Sequence, residues 1–206
     1  PSEQVTAIGM FGLMDMGQFN AFGLLPAIPT AYSRIIAGWE NLENINKPTS
    51  NIEVNRFRGE STTGNSIIKV PVNSDEYYLL EYRGEKKINI DSAYIELLEN
   101  RTEAPTYLEV LQNYIPDKIE VSDSTGVLLK VDNYDWGLPG AGILIWHIDE
   151  KIISEKKDMN QVNDDPENRC IDLEEADGSQ DIGFTYAITE PGYRSDSGTW
   201  LAFWFK

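Results

Sequence analysis

Side chains able to do polar chemistry are unevenly supplied here: among 206 residues there is one histidine, His147, and one cysteine, Cys170, against 34 acidic residues. A single imidazole excludes a His-rich zinc cage, because catalytic zinc usually takes three protein ligands, with imidazoles among them. A Ser-His-Asp triad would have to use His147, which falls in the apolar run from Gly140 to Asp149, so packing and function both stand open for it. Cys170 is followed by Ile171 in a predicted strand and reads as a buried structural thiol, with a nucleophile as the alternative.

The carboxylates give a richer pattern. Asp149, Glu150, Asp172, Glu174, Glu175, Asp177 and Asp181 fall on two predicted strand ends and the loop that follows, where hard oxygen ligands suit calcium. Asp149, Glu174 and Asp177 are the calcium candidates; a solvated acidic face is the other reading. The loop from Asp158 to Arg169 is not an EF-hand, since its sixth place is Asn163 and its twelfth Arg169, not the required glycine and glutamate. Two acids held roughly 5 to 10 Å apart would suit glycoside cleavage. Trp136, Trp146, Trp200 and Trp204 would give a sugar-stacking platform if exposed and core packing if not. Phosphate-binding glycine loops and basic aromatic patches are absent from the sequence.

The elements that must hold these groups follow from periodicity. Glycine-rich 8–25 reads as tight loop against a core. Thr30 as N-cap, apolar residues at helical spacing and Gly38 as terminator predict a short helix over 30–38. Alternating or β-branched runs predict strands over Ile52 to Phe57, Ser66 to Val72, Glu76 to Tyr82, Val127 to Val131, Gly140 to Asp149, Cys170 to Glu174 and Leu201 to Phe205. Helical spacing over 93–100 and 107–114, broken by Pro105 and Pro116, predicts a helical insertion near 88–116. In the run ending at Asp149, Ile143, Ile145 and His147 share one face and Leu144, Trp146 and Ile148 the other, which predicts a central strand covered on both faces.

A hydrophobic content of 41% suffices for a sizeable core. The formal charge of −17 repels phosphate backbones and anionic membranes, so nucleic acid is excluded as a partner, and the apolar runs are too short for a membrane span. One cysteine allows no internal disulfide. The carboxylate excess fits an extracellular, calcium-rich setting. No signal peptide opens the chain, so secretion would be directed by sequence outside it.

The segment 9–17, GMFGLMDMG, followed by 29–39, PTAYSRIIAGW, resembles the stretch just after the zinc-binding helix in immune inhibitor A-like metallopeptidases. EYYLLEYR at 76–83, LPGAGILIWHID at 138–149 and DLEEADG at 172–178 follow in the order that family shows. The resemblance implies an α+β, mainly β chain: the C-terminal part of a zincin-like catalytic domain over 1–50, with its Met-turn and helix, and a β-sandwich-like portion over 51–206. It makes Met14 the methionine of the turn beneath the zinc, a structural role without a bond to the metal; an ordinary core methionine is the alternative. Residues 85–136 depart from the family pattern and read as an insertion.

The family's His-Glu-x-x-His helix, which supplies two zinc ligands and the general base, is missing from these residues. With Pro1 opening just before the Met-turn segment and Lys206 closing inside an apparent strand, the expectation is a fragment of a secreted or cell-surface bacterial precursor. Zinc, its ligands and the peptide or protein substrate would belong to that parent, leaving this chain inactive alone and without catalytic residues. The competing expectation is a noncatalytic β-rich surface module, calcium-binding, that recognises carbohydrate or protein.

Overall fold

The computed structural model describes residues 6–56, 66–84, 90–190, 192–193 and 195–204. The architecture is α+β, built on a five-stranded mixed sheet in the order β1-β2-β3-β6-β7. Its strands are β1 (Leu42–Asn44), β2 (Ile67–Pro71), β3 (Glu76–Arg83), β6 (Gly142–Asp149) and β7 (Ile171–Leu173). β1 runs parallel to β2 and the other neighbours are antiparallel. The β3–β6 ladder is the longest, pairing Glu76 with Asp149 through Arg83 with Gly142. It forms because both strands carry apolar residues at period two, which fixes one register.

Even-numbered Leu144, Trp146 and Ile148 of β6 and odd-numbered Tyr77 and Leu79 of β3 turn to one core with Ile67, Leu173, Phe11, Ala31 and Phe203. The opposite face departs from the expected double cover: Ile143, Ile145 and His147 are only partly buried. Among the described residues, the sheet is thus packed on one side and half-open on the other.

Between β3 and β6 the chain leaves the sheet. It forms α2 (Ile90–Glu99), α3 (Tyr107–Tyr114) and a hairpin of β4 (Ile119–Val121) and β5 (Leu128–Val131). These elements share a second apolar cluster that includes Val110, Leu111, Val131, Trp136 and Leu25. α3 starts on a capping box: the Thr106 hydroxyl accepts from Glu109 N–H at 3.2 Å, and the Glu109 carboxylate accepts from Thr106 N–H at 2.7 Å.

The helix predicted over 30–38 is α1 (Ala31–Ile36), with the Thr30 hydroxyl accepting from Ser33 N–H at 3.3 Å. Two expected strands are corrected. Residues 51–56 form no strand, and Phe57 lies outside the described residues. The segment from Leu201 is a 3-10 turn, Trp200–Ala202, followed by a single bridge from Trp204 to Ile143; aromatic content alone signalled a strand there. Residues after Asp149 form α4 (Glu150–Lys156), whose N-cap Asp149 accepts from Ile152 N–H at 3.0 Å. That acidic N-cap, with a basic last turn, was a legible helix signal.

Candidate functional site

The Met14 segment is built by one carboxylate. Asp15 accepts hydrogen bonds from the Thr6 hydroxyl, from Ala7 N–H at 2.9 Å, from Ile8 N–H at 2.8 Å and from Met16 N–H at 2.8 Å. Four donors on one side chain hold residues 6–16 as a single turn. Gly9, at φ +58°, packs against the backbone at Ser197: a Cβ there would lie 2.2 Å from the Ser197 carbonyl oxygen. Phe11 anchors the turn by an edge contact with Phe203, centroids 5.6 Å apart.

On this rigid base the apolar side chains point outward. Met14 is 89% exposed and Phe22 87%, with Phe19 also exposed, so Met14 is not in the core formed by the described residues. Ala21 and Phe22 both sit in the left-handed backbone region, at φ 50° and 55°, a conformation that costs an L-residue roughly 1–2 kcal/mol. The ring of Phe22 rests on Tyr107 at 5.3 Å, which stacks on Tyr94 at 4.9 Å and donates to Asp91 at 3.0 Å. Burial, and then Asp91, push the Tyr107 hydroxyl up to about 12. Between the Met14 segment and α2–α3 lies a groove of about 470 Å³ that reaches Met10, Met16 and Ile90.

Replacing Ala21 with glycine removes one of the two backbone penalties, offset in part by the extra freedom of glycine in the unfolded chain. Ala21→Gly is therefore expected to raise stability by ~0.5 kcal/mol in urea unfolding; a loss of stability would mean that the Ala21 methyl contributes more than the strain costs.

α1 is tied to the sheet and to α4. Tyr32 donates to Glu150 at 3.2 Å and Tyr77 to the same carboxylate at 2.6 Å. Burial, and then the Glu150 charge, push Tyr32 up to about 12 and Tyr77 upward in the same sense. Ile36 and Trp39 at the end of this stretch are exposed.

The acidic residues singled out in the sequence are assigned to separate tasks. Asp149 caps α4, Glu150 takes the two tyrosines, and Asp172 pairs with Arg169 at 2.9 Å. Asp177 accepts from Ser179 N–H at 3.1 Å and from its hydroxyl at 2.8 Å. Glu175 is buried and accepts from Ile182 N–H at 3.0 Å. Burial, with Asp177 and Asp181 adding to it, pushes its carboxyl up to about 7, against the lowering effect of that hydrogen bond. Glu174 lines a cleft on the half-open sheet face. Among the described residues, no three His, Cys, Asp or Glu side chains are grouped so as to hold a metal ion.

His147 is packed. It lies 5.4 Å from the Tyr78 ring, and its Nε2 is 3.2 Å from Glu76. Cys170 is fully buried, its thiol donating to Asn163 at 3.2 Å, and burial pushes that thiol upward, away from thiolate chemistry. Trp136 and Trp146 are core residues, whereas Trp200 and Trp204 are 55% and 42% exposed.

Sequence reasoning missed the buried ionic network beneath the sheet. Arg34 of α1 bonds Glu40 and, at 2.6 Å, Glu81 of β3. Glu81 also accepts from Trp146 Nε1 at 2.8 Å and faces Arg83 at 3.4 Å. Arg83 holds Asp135 through two nitrogens, at 3.0 and 2.7 Å, and Gly84 N–H donates to the same carboxylate at 2.9 Å. The alternation of Glu81 and Arg83 with apolar residues on the inward face of β3 was the available signal. The network fixes α1 and the 134–137 turn to the sheet, and so fixes the platform under the Met14 segment.

No helix among the described residues is long and apolar enough to cross a membrane. No family model, no curated protein and no solved structure matches the chain.

Proposed function

We propose that this chain is the part of a secreted zinc metallopeptidase, of the immune inhibitor A type, that lies downstream of the metal-binding helix. In this reading 1–50 completes a zincin-like catalytic domain, and the strands beyond it continue into a β-sandwich-like portion of the parent. The observation that supports it is the Met14 segment: a turn pinned by Asp15 that presents Met14, Phe19 and Phe22 outward, as an apolar floor beneath a metal would require. The residues present do not fit zinc themselves, since the one histidine is engaged with Glu76. No step of hydrolysis therefore passes through a group of this chain; its contribution is to shape and support the site.

Purified 1–206 is expected to bind no stoichiometric zinc and to cleave no casein, while a precursor extended upstream of Pro1 does both. Met14 supplies a second readout. Peroxide should convert it to the sulfoxide rapidly in 1–206 and at least about ten-fold more slowly in the precursor, where a helix covers it. Zinc-dependent proteolysis by 1–206, or an upstream gene sequence without a His-Glu-x-x-His helix, would reject the proposal.

The exposure of Trp200 and Trp204 favours a second reading, a noncatalytic surface module that binds carbohydrate or protein and uses calcium at Asp149, Glu174 or Asp177. It expects millimolar calcium, and not magnesium, to raise the melting temperature by a few degrees through preferential binding to the folded state. An unchanged melting temperature removes calcium from it.

A further inference from the structure

The half-open face of the sheet holds a cleft of about 320 Å³ that no part of the peptidase proposal uses. Its floor is Val70, Tyr78, Leu80 and Ile145, from three neighbouring strands, and its walls are Trp204 and Glu174. The walls are fixed by main-chain bonds. Trp204 N–H donates to the Ile143 carbonyl at 2.9 Å, its indole N–H donates to the Glu174 carbonyl at 2.9 Å, and Glu174 N–H donates to the Ile145 carbonyl at 2.9 Å. The indole and the carboxylate are therefore held on one rigid frame.

Unlike its acidic neighbours, the Glu174 side chain has no hydrogen bond or ion pair among the described residues. Asp172 has Arg169, Glu76 has His147, and Asp177 has Ser179. Burial, and then the nearby Asp172 charge, push the Glu174 carboxyl upward, only partly relieved by His147. A carboxylate in this state gains from a cation placed beside it.

We infer that the cleft binds the side chain of a lysine presented by a partner polypeptide, its ammonium at Glu174 and its methylene stem over Tyr78, Leu80, Ile145 and Trp204. The apolar floor suits four methylenes, the Tyr78 and Trp204 rings favour a nearby cation, and one carboxylate matches one point charge. A sugar would need several polar partners and finds one side-chain carboxylate. The surplus of negative charge on the whole chain, −17, steers basic segments toward it.

The test uses the whole 1–206 chain and two small probes of equal length, n-pentylammonium and n-pentanol. Binding is followed at the Trp204 indole N–H by nitrogen-15 NMR, with Trp204→Phe to assign the resonance. Saturable shifts are expected, with the ammonium preferred about five-fold over the alcohol and the preference declining as salt screens the pair. Glu174→Gln should bring the ratio close to one while the alcohol still binds. Equal binding of the two probes by the unaltered chain overturns the inference, whether or not the variant folds. So does a saturable shift with maltohexaose and none with the ammonium, which would make the face a carbohydrate site. The cleft is separate from the Met14 segment, so either result leaves the peptidase proposal to be judged on zinc and casein.

Discussion

Glu81→Ala is expected to lower the melting temperature by roughly 6–20 °C, the largest effect of any single substitution considered. Glu81 is 1% exposed and stands between Arg34 and Arg83, both fully buried. Removing one member of a buried ionic network costs about 3–5 kcal/mol: Arg34 would keep Glu40 and Arg83 would keep Asp135, but burial gives no water to replace the carboxylate that stood between them. A domain of this size loses about 2–4 °C for each kcal/mol. Since native proteins are stable by only about 5–15 kcal/mol, the variant approaches the edge of folding.

Glu81→Gln separates the causes. The amide oxygen can still accept from Trp146 Nε1, but the charge between the two guanidinium groups is gone, so an intermediate loss is expected by differential scanning calorimetry. A loss under about 1 kcal/mol in both variants would show that water reaches the arginines and the network is not dry.

The same network sets the acid limit of the fold. Burial raises the carboxyls of Glu81 and Asp135, but Arg34 and Arg83 outweigh it, and both are held below the ordinary range. A depressed folded value means stability that is present above the unfolded values, near 4, and lost as pH falls through the lower folded ones. Unfolding below about pH 4 should therefore steepen in the unaltered chain and flatten in Glu81→Gln.

Glu175→Gln should act in the opposite sense, with a gain that grows as pH rises above about 4.5 and is complete above about 7. The Glu175 carboxyl stands at about 7 in the folded chain, against an ordinary value of 4.5. A raised acid favours the folded state while it is protonated, so stability falls as pH climbs from about 4.5 through 7 and stays low beyond. The displacement sets a ceiling of about 3 kcal/mol, and solvent screening reduces this to ~1–2 kcal/mol. Glutamine keeps the acceptor for Ile182 N–H without the charge. Urea unfolding should find Glu175→Gln more stable than the unaltered chain by that amount at pH 8 and equal to it at pH 4. An equal difference at both pH values would assign the gain to packing instead of ionisation.

Much of the framework was legible without coordinates because it follows from local rules. Thr30 before an apolar helical period gave α1, and period-two apolarity gave β2, β3 and β6 at nearly their observed bounds. The two proline-bounded helical runs gave α2 and α3. The solitary histidine and cysteine removed whole classes of catalysis by count alone. Helical spacing and strand alternation are properties of neighbours in sequence, and the sequence carries them in full.

The rest depended on residues far apart in the chain. Arg34, Glu81 and Asp135 look like ordinary surface charges until the sheet brings them within bonding distance under Trp146. The acids that read as one cluster separate, because several land beside different partners: Ile152 for Asp149, Tyr32 and Tyr77 for Glu150, Arg169 for Asp172. Met14 is apolar and reads equally as core or as floor; its exposure follows from the four donors that gather around Asp15 and turn the neighbouring side chain outward. By itself the sequence determined α1, α2, α3 and the long strands β2, β3 and β6, since these rest on spacing along the chain. Tertiary structure alone decided which charges are buried and paired and which faces stay open, because a Coulomb or desolvation energy depends on distances that the order of residues does not contain.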